Sequence, residues 1–278
     1  MNPATAPSTV PASDDDPPGL LETHLRARRE AGAKLLVPYV TAGLSDDWLD
    51  VVRAVADAGA DAIEIGLPFS DPMIDGPTIQ AASLESLRRG TTPTGALTQL
   101  RKADVGVPLV VMTYYNVVYR AGHERFAHRL TEAGVCGAIL PDLPLEEAGE
   151  WCEAADASGV ATVLLVAPST PVERAAKICA RSRGFVYAVG LMGVTGERQT
   201  LAASAGDVAR RLRGVTDRPV CVGIGVSNAE QAVAVASEAD GVVIGSALVR
   251  RLLDGEGPEG AARFVGGVRR ALDDMPAR

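Results

Sequence analysis

The sequence predicts an α/β chain folded as a single (β/α)8 TIM barrel over residues 20–278, and three observations carry that prediction. Eight short apolar runs recur along the chain, amphipathic stretches separate them, and several of those stretches end on a glycine just before the next run. The 278 residues, 47% of them hydrophobic, suffice for one large core and match the length of one such barrel.

The runs are LLVPYV (35–40), AIEIG (62–66), PLVVM (108–112), GAILP (137–141), ATVLLV (161–166), FVYAV (185–189), PVCVGI (219–224) and GVVIG (241–245). They are too apolar to face water on either side, which predicts parallel strands covered by helices. In ADAGAD (56–61), TEAGVCG (131–137) and ADASGVA (155–161) a glycine follows an alanine-rich helical segment, where a helix stop belongs. After the first run, Ser45 reads as N-cap, Asp46 and Asp47 occupy the first turn, Trp48, Val51, Val52 and Val55 recur at helical spacing, and Gly59 ends the helix. Eight such units favour a closed barrel over an open doubly wound sheet, and no GxGxxG turn follows the first run.

The formal net charge of −8 offers no basic face to a phosphate backbone, so nucleic acid is not an expected partner. Residues 1–19, MNPATAPSTVPASDDDPPG, lack the basic start and apolar centre of a secretory signal and read as a disordered leader. No apolar run reaches the roughly 18 residues of a membrane span, which leads to the expectation of a soluble, cytoplasmic protein. Cys136, Cys152, Cys179 and Cys221 show no metal-ligand spacing and read as reduced thiols. His24, His123 and His128 lie in polar, helix-like surroundings that suit surface or capping roles, so no metal is expected.

The stretch EIGLPFSDPMIDGP (64–77) raises the question of function, because it sets an acid inside an apolar strand and fixes a second on a proline-stiffened loop. Alternation directs Ile63 and Ile65 to the helix side and Glu64 into the barrel. Burial there raises a carboxyl pKa toward neutrality, where it can give and take protons. Taken alone, Glu64 fits a structural carboxylate paired with an arginine or lysine equally well. Asp75 before Gly76 also fits ordinary turn chemistry. Together the two acids could divide labour, with Glu64 as proton shuttle and Asp75 as the ionised partner. Three later glycine turns, GVTG (193–196), GIGVSN (223–228) and GSAL (245–248), fall where barrels bind phosphate, which makes Gly225, Gly245 and Ser246 candidate ligands with Gly196 closing over them. A small phosphate ester is the substrate class this pattern suggests.

With these residues in place, the sequence resembles the tryptophan synthase alpha subunit family across nearly all of residues 20–275. The resemblance rests on VPYVTAG (37–43), EIGLPFSDPMIDGPTIQ (64–80), MTYYN (112–116), LPDLPLEE (140–147), GVTG (193–196), VGIGVSN (222–228) and GSALV (245–249). It implies a (β/α)8 lyase that cleaves indole-3-glycerol phosphate to indole and glyceraldehyde 3-phosphate, with indole passing to a beta subunit in an αββα assembly. The chain itself would need no cofactor, since pyridoxal phosphate belongs to the beta subunit. By resemblance Glu64 and Asp75 are the catalytic acids, Tyr187 lines the pocket, and Gly196, Gly225, Gly245 and Ser246 bind phosphate. Pro68, Asp71, Asn116 and Pro144 match positions that meet the partner. The sequence departs from the family at Leu44-Ser45-Asp46, where Asp-Pro is frequent, and at Gly190, where many members carry serine.

Retro-aldol cleavage needs an electron sink, and the three lysines, Lys34, Lys102 and Lys177, lie outside the C-terminal halves of the expected strands. Indole itself can serve once C3 is protonated. The alternatives are a stand-alone lyase that releases free indole, a non-catalytic activator of a partner subunit, and another sugar-phosphate barrel enzyme such as an isomerase.

Overall fold

The eight apolar runs form a closed barrel in which every strand lies parallel to its neighbours and the strands follow one another in chain order. This computed structural model describes residues 18–190, 198–223 and 225–276. Most of the expected leader, residues 1–17, lies outside the described residues.

The chain enters through α1 (Leu20–Glu30) and then alternates, with β1 (Leu35–Thr41), α2 (Trp48–Asp57), β2 (Ile63–Gly66), α3 (Pro77–Arg88), α4 (Pro93–Leu100) and β3 (Leu109–Met112). Helices α5 (Tyr115–Ala121) and α6 (His123–Glu132) lead to β4 (Val135–Ile139), and α7 (Gly149–Ala157) leads to β5 (Ala161–Val166). The second half runs through α8 (Val172–Arg181), β6 (Val186–Val189), α9 (Arg198–Arg213), β7 (Val220–Gly223), α10 (Ala229–Ala236), β8 (Gly241–Ile244), α11 (Ser246–Leu253) and α12 (Gly257–Asp273).

Side-chain alternation along the strands makes two cores. Leu36, Val40, Ile63, Ile65, Leu109 and Val111 face outward into the layer beneath the helices, while Leu35, Val37, Ala62, Val110, Val163 and Val243 fill the barrel. Helix α1 plugs the floor: Leu21 and Leu25 are fully buried in the inner core beside Phe185. Burying one such leucine contributes about 1.5–3 kcal/mol. Gly184 makes room for Leu21, because an added Cβ would stand 2.5 Å from the leucine Cδ2.

Two local expectations are corrected. The first helix after β1 starts at Trp48, with Asp47 at the cap position, so Ser45 does not cap it; the Ser45 carbonyl accepts the Trp48 N–H at 3.4 Å instead. The turn at Gly43, at φ +69°, carries the chain two residues further before the helix begins. The fourth strand runs over 135–139 rather than 137–141, since Pro141 has no N–H to add to a ladder and pairing begins as soon as Gly134 ends α6. The glycine stops hold: Gly59, Gly134 and Gly159 have φ of +100°, +75° and +71°, each one residue past the helix cap. All four cysteines are free thiols, three of them buried and Cys136 partly so.

Candidate active site

Strand β2 brings Glu64 to the top of the barrel interior. The register sets it opposite Tyr39 of β1 and Val110 of β3, and it is 1% exposed. Its surroundings decide between a structural and a working carboxylate. The buried acids at the floor each hold an arginine: Asp61 meets Arg28 at 2.6 Å and Arg269 at 3.2 Å, and Glu22 meets Arg26 at 2.9 Å. Glu64 has no cation beside it among the described residues, and its Oε2 is buried without a hydrogen-bond partner. An ionised carboxylate there would be strongly disfavoured. Burial first, then the charge of Asp75, push the Glu64 carboxyl up to about 8, so it holds its proton at neutral pH.

Asp75 faces the same cavity from the loop between β2 and α3. That loop is tied down by its own turns, with Asp75 N–H donating to the Pro72 carbonyl at 3.1 Å and the Gln80 amide donating to the Asp75 carbonyl at 2.8 Å. It is also fastened to the loop after β3. Tyr114 donates its hydroxyl to Asp75 Oδ2 at 2.9 Å, accepts the Ile74 N–H at 3.1 Å, and stacks on Phe69 with ring centroids 4.8 Å apart. Partial burial shifts the Asp75 carboxyl upward and the Tyr114 hydrogen bond opposes the shift.

The cavity has a volume of about 180 Å³. Glu64, Asp75, Tyr187, Gly225, Gly245 and Ser246 all line it, so the structure gathers six of the expected site residues at the C-terminal ends of the strands. Gly196 lies outside the described residues. Two tyrosines wall the cavity by lying across glycines of the next strand: a Cβ on Gly66 would stand 1.8 Å from the Tyr39 hydroxyl, and one on Gly223 would stand 2.2 Å from that of Tyr187. Burial dominates the upward shift of both phenols, which stay protonated. Apolar Met112, Leu165 and Val243 complete a slot suited to a flat aromatic ring.

At the other side, α11 begins at Ser246 with Gly245 as its cap, and its N-terminus opens on the cavity. No lysine, arginine or histidine is among the described residues lining the cavity. An anion here would be held by backbone N–H groups and the helix end rather than by a cationic side chain. Among the described residues no group of three or more His, Cys, Asp or Glu is placed to hold a metal ion.

The family resemblance points to four further residues for contact with a partner. Asp71, Asn116 and Pro144 are exposed, whereas Pro68, two residues past the end of β2, is buried. Sequence reasoning missed Tyr114 and Tyr39. The signal for Tyr114 was its place just past the C-terminal end of the third strand, where barrels keep working residues; for Tyr39 it was a polar aromatic in the first strand two residues before its end.

Comparison with known proteins then gives consistent results. A family model described as tryptophan synthase alpha chain matches residues 25–266. The chain is 48% identical over 260 residues to the tryptophan synthase alpha chain of Streptomyces coelicolor, covering 92% of this chain and 95% of the relative. It is 45% identical over 252 residues to that of Thermobifida fusca, covering 88% and 93%. Among solved structures, tryptophan synthase from Mycobacterium tuberculosis superposes with a TM-score of 0.85 at 37% identity, covering 92% of this chain and 99% of that one. The alpha subunit from Legionella pneumophila gives 0.84 at 29% identity, with the same coverage.

Proposed function

The chain belongs to the tryptophan synthase alpha chain family, and from that premise we propose that it cleaves indole-3-glycerol phosphate to indole and glyceraldehyde 3-phosphate, supplying indole for tryptophan synthesis. The observation that carries the chemistry is the buried Glu64, with no cation beside it among the described residues, facing Asp75 across one small cavity.

The indole ring lies in the slot between Tyr39 and Tyr187, and the phosphate lies against the backbone of Gly225, Gly245 and Ser246 at the start of α11, with Gly196 closing from the neighbouring loop. Protonated Glu64 gives its proton to indole C3. The ring becomes an indoleninium-like cation and draws in the electrons of the C3–C1′ bond as that bond breaks. Aromaticity returns, the C1′ hydroxyl loses its proton to the Glu64 carboxylate, and the glycerol fragment leaves as an aldehyde. Asp75 accepts a hydrogen bond from indole N1–H and stabilises the cation, while Tyr114 holds Asp75 in place. The heterocycle is its own electron sink, so the chain needs neither a Schiff-base lysine nor a cofactor of its own.

The family's name as an alpha chain supports a beta subunit as partner, which would carry the pyridoxal phosphate. The αββα arrangement, a contact through Asp71, Asn116 and Pro144 on the exposed rim, and a cytoplasmic setting belong to this same reading. A non-catalytic activator has no use for an unpaired buried glutamate. A stand-alone lyase is separated from the leading reading by rate. Purified protein incubated with indole-3-glycerol phosphate should release indole slowly, and a beta subunit should raise that rate strongly. Failure to release indole under either condition overturns the proposal, and a fast rate indifferent to a beta subunit supports the stand-alone enzyme.

A further inference from the structure

The two ends of the cavity are built on different helices, and those helices are joined to each other away from the cavity. Helix α3 follows the Asp75 loop and lends Ile79 to the cavity wall, while α11 carries the phosphate end at Gly245 and Ser246. Gly245 has no side chain to cap α11, so the first N–H groups of that helix are left for an anion. Behind the wall the two helices pack on each other, Ile79 and Ala82 of α3 sharing a small buried core with Val249 of α11 and with Tyr39. One polar contact crosses the same seam. Arg250 lies four residues past Ser246, on the same face of α11, and donates from Nη2 to the Thr78 hydroxyl of α3 at 2.9 Å. Two residues further along α3, the Gln80 amide donates to the Asp75 carbonyl at 2.8 Å and to that of Pro72 at 3.4 Å. A short chain of contacts therefore runs from the start of α11 through Arg250, Thr78 and Gln80 to the backbone of Asp75. The turn before α10 is tied differently: Asn228 Oδ1 accepts the Gln231 N–H at 2.9 Å and Gln231 Oε1 accepts the Ser227 N–H at 2.8 Å, bonds that close the turn on itself.

We propose that Arg250 is a positioning residue for this site: by holding α3 to α11 through Thr78, it transmits the seating of the substrate phosphate on α11 to Asp75. The inference rests on the reading above that the phosphate lies at the start of α11. A phosphate group takes no part in breaking the carbon–carbon bond, so its binding energy accelerates the reaction only by setting the reacting groups in place. A packed helix pair does this for an acid at the opposite end of the cavity. Arg250 is exposed and does not line the cavity, so it acts through α3 rather than on the substrate.

The test uses the full chain. Arg250→Ala and Thr78→Val each remove the bond at an exposed or half-exposed position, so both variants keep the fold. Each should lower kcat for indole-3-glycerol phosphate by about 2–10-fold with KM little changed. The double variant should be no slower than either single one, because both delete the same contact. Arg250→Lys, which keeps a donor, should retain more of the rate than Arg250→Ala. Wild-type kcat in both single variants, a loss carried by KM alone, or losses that multiply in the double variant overturns the proposal. A second measurement is independent of turnover. The Met73, Ile74 and Asp75 amides donate to the Asp71 carbonyl, the Tyr114 hydroxyl and the Pro72 carbonyl, and their hydrogen exchange reports the order of the loop. Saturating inorganic phosphate should slow that exchange several-fold in the wild type and leave Arg250→Ala unmoved. No slowing in the wild type, or equal slowing in both, overturns the coupling. A wild type whose exchange is slowed as expected but which releases no indole supports the coupling and refutes the lyase reading.

Discussion

Glu64 shows how one residue trades stability for chemistry. A glutamate in an unfolded chain ionises near 4.5, whereas Glu64 in the barrel holds its proton to about pH 8. Between those values the folded protein binds a proton that the unfolded chain has released, so stability falls as pH rises through that window and the penalty is complete above about 8. Glu64→Gln removes the ionisation without changing shape. It should reduce turnover by at least about 100-fold while raising stability above pH 8 by on the order of a few kcal/mol, a gain that vanishes below about pH 4.5. Urea midpoints at pH 4 and pH 9 read this directly, and an unaltered rate in the variant removes the proton-transfer role. In the wild type, kcat/KM should decline as pH rises through about 8, because the free enzyme then loses the proton it donates. Tyr114→Phe deletes the donor to Asp75 and frees the Asp75 carboxyl to shift further upward. A hydrogen bond to a charged group contributes about 1.5–3 kcal/mol, so the rate should fall about 10–100-fold. A rate equal to wild type at neutral pH would show that Tyr114 does not hold Asp75 in its working position.

At the scale of elements, the site depends on strands that stand close enough to overlay a ring on a neighbouring backbone. Gly66 is the tightest case, because a methyl group there would stand 1.8 Å from the Tyr39 hydroxyl and 2.2 Å from its ring carbon. Gly66→Ala must displace the Tyr39 ring from its place in the cavity wall; overpacking of this kind costs about 1–3 kcal/mol. The variant should fold, lose about 100-fold or more in kcat/KM, and differ from Gly149→Ala, where nothing lies within 4 Å of the added carbon. Equal activity in the two variants would show that the position of the Tyr39 ring does not matter to catalysis. The eight strands were legible because parallel strands buried on both faces must be written as unbroken apolar runs. Glu64 was legible for the converse reason, a charge interrupting such a run. The plug helix α1 was not, since Leu21 and Leu25 form a narrow stripe in LLETHLRARRE and its burial depends on a floor to which strands as far apart in the chain as β1 and β4 contribute. Tyr114 was hidden because its bond to Asp75 joins two loops 39 residues apart, and the end of the fourth strand was misplaced because Leu140 is buried without being paired.

The whole barrel must close its last unit onto its first, and Asp61 is where the two are joined. Entering β2, it accepts the Leu36 N–H of β1 at 2.8 Å, Arg28 of α1 at 2.6 Å and Arg269 of α12 at 3.2 Å, and it is 2% exposed. The Arg269 side chain reaches it across Gly59, where a Cβ would stand 2.7 Å from the arginine Cγ, and also donates to the Lys34 carbonyl at 2.8 Å. One carboxylate thus gathers the entry helix, the first two strands and the final helix at the floor, below the cavity that holds Glu64. Removing one partner of such a buried set costs about 3–5 kcal/mol, because the arginine left behind loses its counter-charge and the strand N–H its acceptor. For a chain of this length that corresponds to a Tm lower by about 6–20 °C. Asp61→Ala should therefore melt well below wild type while keeping its lyase rate at low temperature, since no atom of the pocket is touched. Loss of activity in step with Glu64→Gln, at a temperature where circular dichroism still reports a folded barrel, would show that the floor and the active site are coupled rather than separate.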